Sequence, residues 1–501
     1  MAAAAVPTRM VPLADFLIER LTALGLRHVF GVPGDFSLAL CAKFEASPIA
    51  YVNTCDEQGA GFAADAYARM TGFGAACVTY SVGGLKLANS TGQAFAEESP
   101  VLVISGAPGL AERERHPLLH HRVHDFDDQL RVFEQLTVAS AALNDPEIAA
   151  REIDRVLAAI QREKRPGYLE IPRDLVDVEI EVHVRGPRPA PASDPDILAA
   201  AVAEAVARLQ RAQRPVAILG VELHRFGLID TALRLVERTG MPVAQTLLGK
   251  SAIDEDHPQY IGVYSGRMSH EATRRYVEAS DAILFLGTRM TDLNLGGFTA
   301  EFDPRAAMHA TRDRVTIGYE LFERTLLGDF LTELTDADLP RFTAVDAPYV
   351  PPLAALPEID PQTPMTVDRL FARLAAILTE QMVVIADPGD ALFGAANLPI
   401  RRGVGFLAPA YYASLGFAVP ASIGVGLAEP ASRPIVLVGD GAFQMTGVEL
   451  STAVRFGVHP IVIVLNNDGY ATERFLLDGR FNDILRWRYA HLPDVLGAGR
   501  G

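Results

Sequence analysis

Cysteine is scarce in this 501-residue sequence, where it occurs only at Cys41, Cys55 and Cys77. The three residues form no CxxC pair and have no histidines at zinc-finger spacing. This pattern excludes a small disulfide-stabilised secreted module and a zinc finger. It predicts reduced thiols in a cytoplasmic protein.

Positive charge and long hydrophobic runs are also in short supply. The 45 Lys and Arg residues are outnumbered by 62 Asp and Glu residues, which gives a net charge of −17, and we find no basic cluster. Nucleic acid is therefore not expected as a partner. No run of about 18 uncharged apolar residues is present, and the N-terminus lacks a signal-like apolar segment, so no membrane partner is expected either.

Apolar material is nevertheless plentiful, since hydrophobic residues make up 49% of the chain and charged residues 21%. The length is about three times that of a typical domain of roughly 150 residues. Two stretches rich in Pro, Ala and Asp, at 186–196 and 346–364, are typical of linkers. They predict domains at 1–185, 194–345 and 365–501.

Short apolar runs alternate with longer amphipathic patterns throughout the chain. The runs are AACVTY, PVLVISG, PVAILG, AILFLG, MVVIAD, PIVLVGD and PIVIVLNN, and the helical patterns include LADFLIERLTALG and DILAAAVAEAVARLQRA. Strands that are apolar on both faces are typical of parallel sheets covered by helices. The sequence therefore predicts an α/β protein of three consecutive open parallel-sheet domains.

The stretch from 434 to 467 places polar residues after two neighbouring strands. Gly439, Asp440 and Gly441 follow the first strand, and Asn467 follows the second, 27 residues after Asp440. Glycines let backbone amides approach a phosphate, and a carboxylate with an amide oxygen suits Mg²⁺. Taken alone, GDG is more typical of an ordinary strand-to-helix turn.

With its spacing to NN, this stretch resembles the diphosphate and metal motif of thiamine-diphosphate enzymes. Further segments follow in the order of the pyruvate and indolepyruvate decarboxylase branch of that family, and some are similar to phenylpyruvate decarboxylases. These segments are GVPGDF, CDEQGAGFAADAYAR, TYSVGGLKLANSTGQAFAEESPVLVISGAP, LLHHR, RPGYLEIPRD, PVAQTLLGKSAIDEDHPQYIGVYSG, DPGDALFG, YYASLGFAVPASIG and GYATERF. The resemblance implies a pyrimidine-binding, a middle and a diphosphate-binding domain.

The resemblance also implies thiamine diphosphate and Mg²⁺ as cofactors, and it assigns residues to each. The metal would be held by Asp440, Asn467 and Gly469. The cofactor would contact Glu57, Gly389, Asp390, Ala413, Leu415, Gly439, Asp440, Gly441, Ala442, Asn467, Gly469, Tyr470 and Ala471. In this scheme Leu415 separates the two cofactor rings, and Ala413 accepts a hydrogen bond from the pyrimidine amine.

Five residues match the catalytic positions of the decarboxylases. Glu57 would activate the aminopyrimidine, while Asp35, His120, His121 and Glu473 would move protons near the thiazolium. Without the resemblance, Glu57 is also typical of a helix start and the histidine pair of an exposed loop. We expect Glu473 to be partly buried beside apolar side chains.

The implied reaction is non-oxidative decarboxylation of a 2-oxo acid to an aldehyde and CO₂. Leu392, at the implied substrate wall, is smaller than the aromatic residue of some relatives and favours an aromatic or branched-chain substrate such as indolepyruvate, phenylpyruvate or 4-methyl-2-oxopentanoate. A carboligase of the acetolactate-synthase type and an inactive paralogue remain alternatives. Ser81 departs from the family, which usually has glycine there.

The resemblance finally implies how subunits assemble. Glu57 and the diphosphate motif would come from different subunits, so a homodimer is the expected minimum and a homotetramer the expected form. The middle domain lacks a GxGxxG loop, so FAD or NAD is not expected there. The family continues beyond the position of residue 501, which predicts a third domain that is incomplete at its C-terminal end.

Overall fold

The computed structural model of the chain describes residues 8–183, 191–343, 346–348, 362–401 and 405–497. Two compact units divide the chain: the first comprises Met1–Arg188, Ile385–Ala391 and Tyr412–Gly501, and the second Pro189–Val384 and Leu392–Tyr411. Among the described residues, no helix combines the length and the apolar character needed to cross a bilayer.

The N-terminal part of the first unit is built on a six-stranded parallel sheet of order β3-β2-β4-β5-β7-β6, with a separate antiparallel pair β1-β8. Its elements are β1 (Thr8–Pro12), α1 (Leu13–Ala23), β2 (His28–Gly31), α2 (Leu38–Glu45), β3 (Ala50–Asn53), α3 (Glu57–Thr71), β4 (Gly74–Val78), α4 (Gly84–Ala96), β5 (Val101–Ala107), α5 (Leu110–Arg113), α6 (Asp128–Leu136), β6 (Ala139–Ala142), α7 (Pro146–Glu163), β7 (Gly167–Pro172) and β8 (Glu179–His183).

A seven-stranded sheet of order β11-β10-β9-β12-β13-β14-β15 forms the core of the second unit. The elements in this region are α8 (Pro195–Arg211), β9 (Pro215–Leu219), α9 (Glu222–Arg225), α10 (Ile229–Thr239), β10 (Val243–Gln245), β11 (Tyr260–Val263), α11 (Glu271–Glu278), β12 (Ala282–Leu286), a 3₁₀ turn (Pro304–Ala306), β13 (Ala307–Thr311), β14 (Arg314–Ile317), β15 (Glu320–Glu323) and α12 (Leu327–Asp336).

The C-terminal part of the chain contains a four-stranded sheet of order β17-β16-β18-β19. Its elements are α13 (Val367–Ile377), β16 (Met382–Ala386), α14 (Asp390–Ala395), β17 (Gly405–Leu407), α15 (Ala418–Ala428), β18 (Arg433–Gly439), α16 (Asp440–Thr446), α17 (Leu450–Arg455), β19 (Ile461–Leu465), α18 (Ala471–Arg474), α19 (Leu492–Val495) and 3₁₀ turns at Gly447–Glu449, Arg480–Asn482 and Tyr489–His491. β18 and β19 pair in parallel, with Gly439 opposite Leu465.

Within the first unit, α3 packs against α15 from the C-terminal part. The rings of Phe62 and Phe417 meet edge to face with their centroids 5.7 Å apart, and the Arg69 guanidinium lies 5.2 Å from the centre of the Phe417 ring. Arg69 also forms a buried ion pair with Asp65 one helical turn earlier. These contacts fix the helix that begins at Glu57.

The predicted α/β class with three successive sheets is confirmed, and each of the seven apolar runs contains a strand. The middle sheet differs from the prediction because β14 and β15 are antiparallel to their neighbours. Tight connections after β13 and β14 account for this, since consecutive strands joined by a short turn must run antiparallel.

The predicted domain limits stay predictions. Residues 186–190 of the first predicted linker and 349–361 of the second lie outside the described residues. The end of the first linker proves to be a helix start: α8 begins at Pro195, and the Asp194 carboxylate accepts a hydrogen bond from the Ile197 backbone N–H. Proline is favourable at this position because the N–H of the first helical residue would have no hydrogen-bond partner within the helix.

Candidate active site

Asp440 organises the turn that follows β19. This carboxylate is 1% exposed at the start of α16, directly after β18. One oxygen accepts the Gly441 N–H at 2.8 Å, and the other accepts the N–H groups of Asp468 at 2.8 Å and Gly469 at 3.2 Å. The side chain thus draws the Asn467–Gly469 turn against the end of the neighbouring strand.

Asn467 is oriented by Asp390. The Asn467 Nδ2 donates to Asp390 Oδ2 at 3.1 Å, which turns the amide oxygen of Asn467 away from that carboxylate. The Gly469 carbonyl accepts from the Ala471 N–H at 2.9 Å and keeps a second lone pair. Asp440 and the Asn467–Gly469 turn are therefore brought together, and the predicted metal ligation by these residues stays a prediction.

Glycine is required at two positions of this group. Gly441 lies against Tyr470, because a Cβ at Gly441 would be only 2.7 Å from the Tyr470 ring. Gly389 has a φ of +92°, in the left-handed region that disfavours side chains. By contrast, Gly439 faces open space, since a Cβ there would meet nothing within 4 Å. Ala442 is buried on α16.

The segment from 412 to 418 holds Ala413 in a left-handed conformation with a φ of 57°. Asp387, fully buried after β16, accepts the N–H groups of Gly416 at 2.9 Å and Ala418 at 2.7 Å. This bidentate contact fixes the backbone on the C-terminal side of Leu415. Burial raises the pKa of Asp387 to about 7, against the opposing effect of these hydrogen bonds.

Helix α4 holds the other side of the same segment. Asn89 Nδ2 donates to Ser414 Oγ at 2.8 Å, and the Tyr412 N–H donates to Glu97 Oε1 at 2.8 Å. Contacts with α4 on one side and with Asp387 on the other therefore hold the backbone of Ala413 and Leu415 in place. A fixed backbone is what the predicted contacts of these two residues with the cofactor require.

Glu57 is the first residue of α3 and is 8% exposed. The Asp56 side chain caps the helix by accepting the Gln58 N–H at 2.8 Å. Lys86 on α4 pairs with both acids, and its Nζ lies 2.8 Å from Glu57 Oε2. These contacts raise the pKa of Lys86 to about 12, with the hydrogen bond to Asp56 as the largest cause.

Asp35, His120 and His121 form one cluster, in which one nitrogen or oxygen atom of each residue lies within 4.8 Å of the others. His120 Nε2 is 2.6 Å from Asp35 Oδ2, and the imidazole of His120 stacks on Phe36. Burial opposes ionisation of Asp35, but the hydrogen bond and charge of His120 outweigh it and lower the pKa of Asp35. The structure brings these three residues together, and their catalytic roles stay a prediction.

Glu473 lies on α18 and is exposed, so the expectation of partial burial is wrong for the single chain. Within the described part of the chain its side chain has no hydrogen bond or ion pair. The residues that follow are exposed as well, Phe475 by 87% and Leu476 by 82%. Leu392 is buried on α14 and belongs to the second unit.

Two residues of this site were missed from the sequence. Lys86 pairs with Glu57, and Asp387 accepts the Gly416 N–H. Both partners are distant in sequence, so no local pattern indicates these contacts. The departure at Ser81 has a visible consequence: its φ is 57°, in the region that glycine occupies without strain. The usual glycine of the family therefore fits the backbone better than serine does.

The residues present fit the cofactor and metal that the motif implies. Asp440 accepts three hydrogen bonds and a carboxylate offers about four lone-pair positions, so capacity for a cation remains. Asn467 and Gly469 add two further oxygens beside it, and an oxygen-only donor set is what Mg²⁺ prefers. Open space before Gly439 leaves room for a phosphate.

Comparison with known families agrees with this geometry. The profile "Thiamine pyrophosphate enzyme, N-terminal TPP binding domain" matches residues 12–132. The profile "Thiamine pyrophosphate enzyme, central domain" matches residues 202–335, and "Thiamine pyrophosphate enzyme, C-terminal TPP binding domain" matches residues 387–483. The three domains thus occur in the order that the sequence predicts.

Three similar proteins cover nearly the whole chain. The chain is 38% identical to indole-3-pyruvate decarboxylase of Azospirillum brasilense, over 97% of this chain and 89% of that protein. It is 34% identical to an alpha-keto-acid decarboxylase of Mycolicibacterium paratuberculosis (97% and 87% covered) and 34% identical to pyruvate decarboxylase 1 of Pisum sativum (97% and 84% covered). The chain belongs to the thiamine-diphosphate-dependent 2-oxo acid decarboxylase family.

Proposed function

We propose that this enzyme converts an aromatic or branched-chain 2-oxo acid, such as indolepyruvate, phenylpyruvate or 4-methyl-2-oxopentanoate, to its aldehyde and CO₂. The observation that carries the proposal is the coexistence of the Asp440–Asn467 turn with the Asp35–His120–His121 cluster. The first is suited to the diphosphate and its cation, and the second to moving protons. Thiamine diphosphate, when bound, supplies an electron sink that accepts the electron pair of the C–C bond broken when CO₂ leaves.

Each group of residues has a part in this scheme. Asp440, Asn467 and the Gly469 carbonyl hold Mg²⁺, while Gly389, Asp390, Gly439, Gly441, Ala442, Tyr470 and Ala471 surround the diphosphate. Leu415 and the Ala413 carbonyl fix the ring system. Glu57 hydrogen-bonds the aminopyrimidine, a role supported by its low exposure at the start of a clamped helix.

Proton transfer is the task of the acids and histidines. Asp35 is held as a carboxylate 2.6 Å from His120 Nε2, and the imidazole can pass a proton on by rotation or through a water molecule. His121 lies at the edge of the same cluster, its ring centre 4.8 Å from that of His120. Glu473 delivers the proton that completes the aldehyde, and its exposure in the single chain is compatible with coverage by a second subunit.

The substrate range is proposed from two observations. Leu392 is a medium-sized buried side chain where some relatives have an aromatic one, and relatives named for indole-3-pyruvate and for alpha-keto acids are 38% and 34% identical. We also propose a homodimer as the functional minimum, a homotetramer as the usual form, and a cytoplasmic location for the enzyme.

The proposal is tested with purified protein, thiamine diphosphate and Mg²⁺ in an aldehyde-coupled assay. Pyruvate, 4-methyl-2-oxopentanoate, phenylpyruvate and indolepyruvate are compared side by side. The larger substrates should show the higher kcat/KM. Glu473→Gln should bind the cofactor normally and release aldehyde about 10²- to 10⁴-fold more slowly, the usual range for loss of a general acid. Normal turnover in that variant would remove Glu473 from the scheme.

A further inference from the structure

Glu449 is a buried acid to which the family resemblance assigns no role, although it lies within the stretch from 434 to 467. It ends the 3₁₀ turn Gly447–Glu449, just after helix α16, and is 1% exposed. Burying a carboxyl group is costly unless hydrogen bonds compensate for the lost water. Burial does raise the pKa of Glu449, although three hydrogen bonds favour its ionised form. The burial of the Glu449 carboxyl group therefore suggests that the group has a specific role.

The partners of Glu449 lie directly before Glu57. The backbone N–H of Asp56 donates to Glu449 Oε1 at 3.0 Å, and that of Cys55 donates to Glu449 Oε2 at 3.2 Å. Thr452 Oγ1 donates to the same Oε2 at 2.7 Å and fixes the carboxylate in place. One acid from the C-terminal part thus holds both backbone N–H groups that precede the first residue of α3.

The surroundings are shaped for this contact. A Cβ on Gly59 would lie only 2.2 Å from Glu449 Oε1, so only glycine lets the carboxylate approach the first turn of α3. Cys55 adds a second link to the same stretch, since its Sγ is 3.1 Å from Ser451 Oγ. A negative charge at a helix N-terminus also interacts favourably with the helix dipole.

We propose that Glu449 is a positioning residue for Glu57: it fixes the backbone at Cys55 and Asp56 and so holds the Glu57 carboxylate where it reaches the aminopyrimidine of the cofactor. This inference rests on the proposed function for the role of Glu57. Because Glu449 follows the helix that begins at Asp440, the clamp ties Glu57 to the diphosphate-binding region of the same subunit. In the proposed homodimer, where Glu57 and the diphosphate motif of one site come from different subunits, that region serves the other active site.

The first test measures the clamp without cofactor or substrate. Amide hydrogen exchange across residues 53–60 is compared in wild type, Glu449→Gln and the exposed control Glu429→Gln. Loss of one of the two acceptor oxygens should accelerate exchange at Cys55 and Asp56 at least about tenfold, with no change in the control. Unchanged exchange in folded Glu449→Gln would overturn the inference, whatever the activity of the enzyme.

The second test asks whether Glu449 acts through Glu57. In the cofactor-loaded enzyme, Glu449→Gln should lower kcat about 10- to 100-fold and leave KM for the 2-oxo acid within about twofold, and Glu449→Asp should restore part of the loss. In a Glu57→Gln background the same substitution should add less than about a twofold loss. Losses that multiply would show an independent structural role and overturn the inference.

A third variant keeps the inference testable if Glu449→Gln does not fold. Thr452→Val removes the hydroxyl donor but retains the acid and a side chain of similar shape. It should give a smaller increase of exchange at Cys55 and Asp56 and a smaller loss of kcat. Wild-type values for both in folded Thr452→Val, together with an unfolded Glu449→Gln, would mean that Glu449 serves stability alone.

Discussion

The Lys86 ammonium group lies 2.8 Å from Glu57 Oε2 and also pairs with Asp56. In the proposed function the aminopyrimidine must share the Glu57 carboxylate with this lysine. An ion pair at a half-exposed lysine contributes about 0.2–1 kcal/mol. Lys86→Met should therefore tighten thiamine diphosphate binding about 1.5- to 5-fold, as measured by fluorescence titration in the presence of Mg²⁺.

The matched control is Lys43→Met, which removes a lysine paired with Asp15 and Asp177 elsewhere in the first unit. Its affinity for the cofactor should equal that of the wild type. Weaker binding in Lys86→Met would instead mean that Lys86 contributes directly to the cofactor site.

The short contact between His120 and Asp35 predicts a defect in proton delivery. Asp35→Asn keeps the size of the side chain and removes its charge, so the protonated form of His120 loses its partner. We expect kcat to fall about 10²- to 10⁴-fold with cofactor affinity unchanged, the range that general acid–base catalysis contributes. Steady-state kinetics and a cofactor titration measure the two quantities.

Asp127→Asn is the control for this substitution, since Asp127 is an exposed acid in the same part of the chain. It should keep wild-type kcat. A wild-type kcat in Asp35→Asn as well would exclude the cluster from the rate-limiting proton transfer.

Asp387 predicts how stability depends on pH. Its pKa is raised by burial to about 7 in the folded chain, from the ordinary value of 3.8 for an aspartate. Between these values the folded state retains a proton that the unfolded chain has lost, so this group makes the free energy of unfolding fall as pH rises from about 4 to about 7. Above the folded pKa its contribution no longer changes.

Asp387→Asn should remove that contribution. The loss of Tm between pH 5 and pH 7.5 should be smaller in this variant than in wild type, even though the variant is less stable at both pH values because Asn cannot accept two N–H groups equally well. Differential scanning calorimetry at the two pH values decides the point. An equal loss of Tm in both proteins would show that Asp387 is ionised throughout.

Asp440 predicts that cofactor binding depends on the metal. Saturating thiamine diphosphate with Mg²⁺ should raise Tm of the wild type, since ligand at about 100 times its Kd adds about 2.7 kcal/mol to the free energy of unfolding. A chelator that removes Mg²⁺, or the substitution Asp440→Asn, should abolish most of this rise. The exposed control Asp478→Asn should retain it, and a full rise in Asp440→Asn would place the cation elsewhere.

The sequence was sufficient for features that depend on neighbours in the chain. β18, the GDG turn and β19 lie close in sequence and form one β-α-β unit, so their spacing predicts that Asp440 meets the turn that begins at Asn467. The α/β class follows likewise from local apolar runs. The Asp35–His120 contact joins residues 85 apart and was predicted only through the family resemblance.

Features that depend on distant packing were not predictable. Asp56 and Glu449 are 393 residues apart, and no pattern at either position indicates the other. Asp387 is the first residue of the DPGDALFG segment, but the sequence does not indicate its partners. The fold brings the N–H groups of Gly416 and Ala418 to its carboxylate. The exposure of Glu473 could not be predicted from the sequence. α18 is a single short turn, and none of its four residues is buried in the described part of the chain.

The most direct test of the account is the ratio of aldehyde to CO₂ formed from phenylpyruvate by the purified enzyme with thiamine diphosphate and Mg²⁺. The account predicts one phenylacetaldehyde for each CO₂, with both products lost when the cofactor is omitted. An acyloin as the main product, or CO₂ with much less than one equivalent of aldehyde, would contradict it and identify the enzyme as a carboligase.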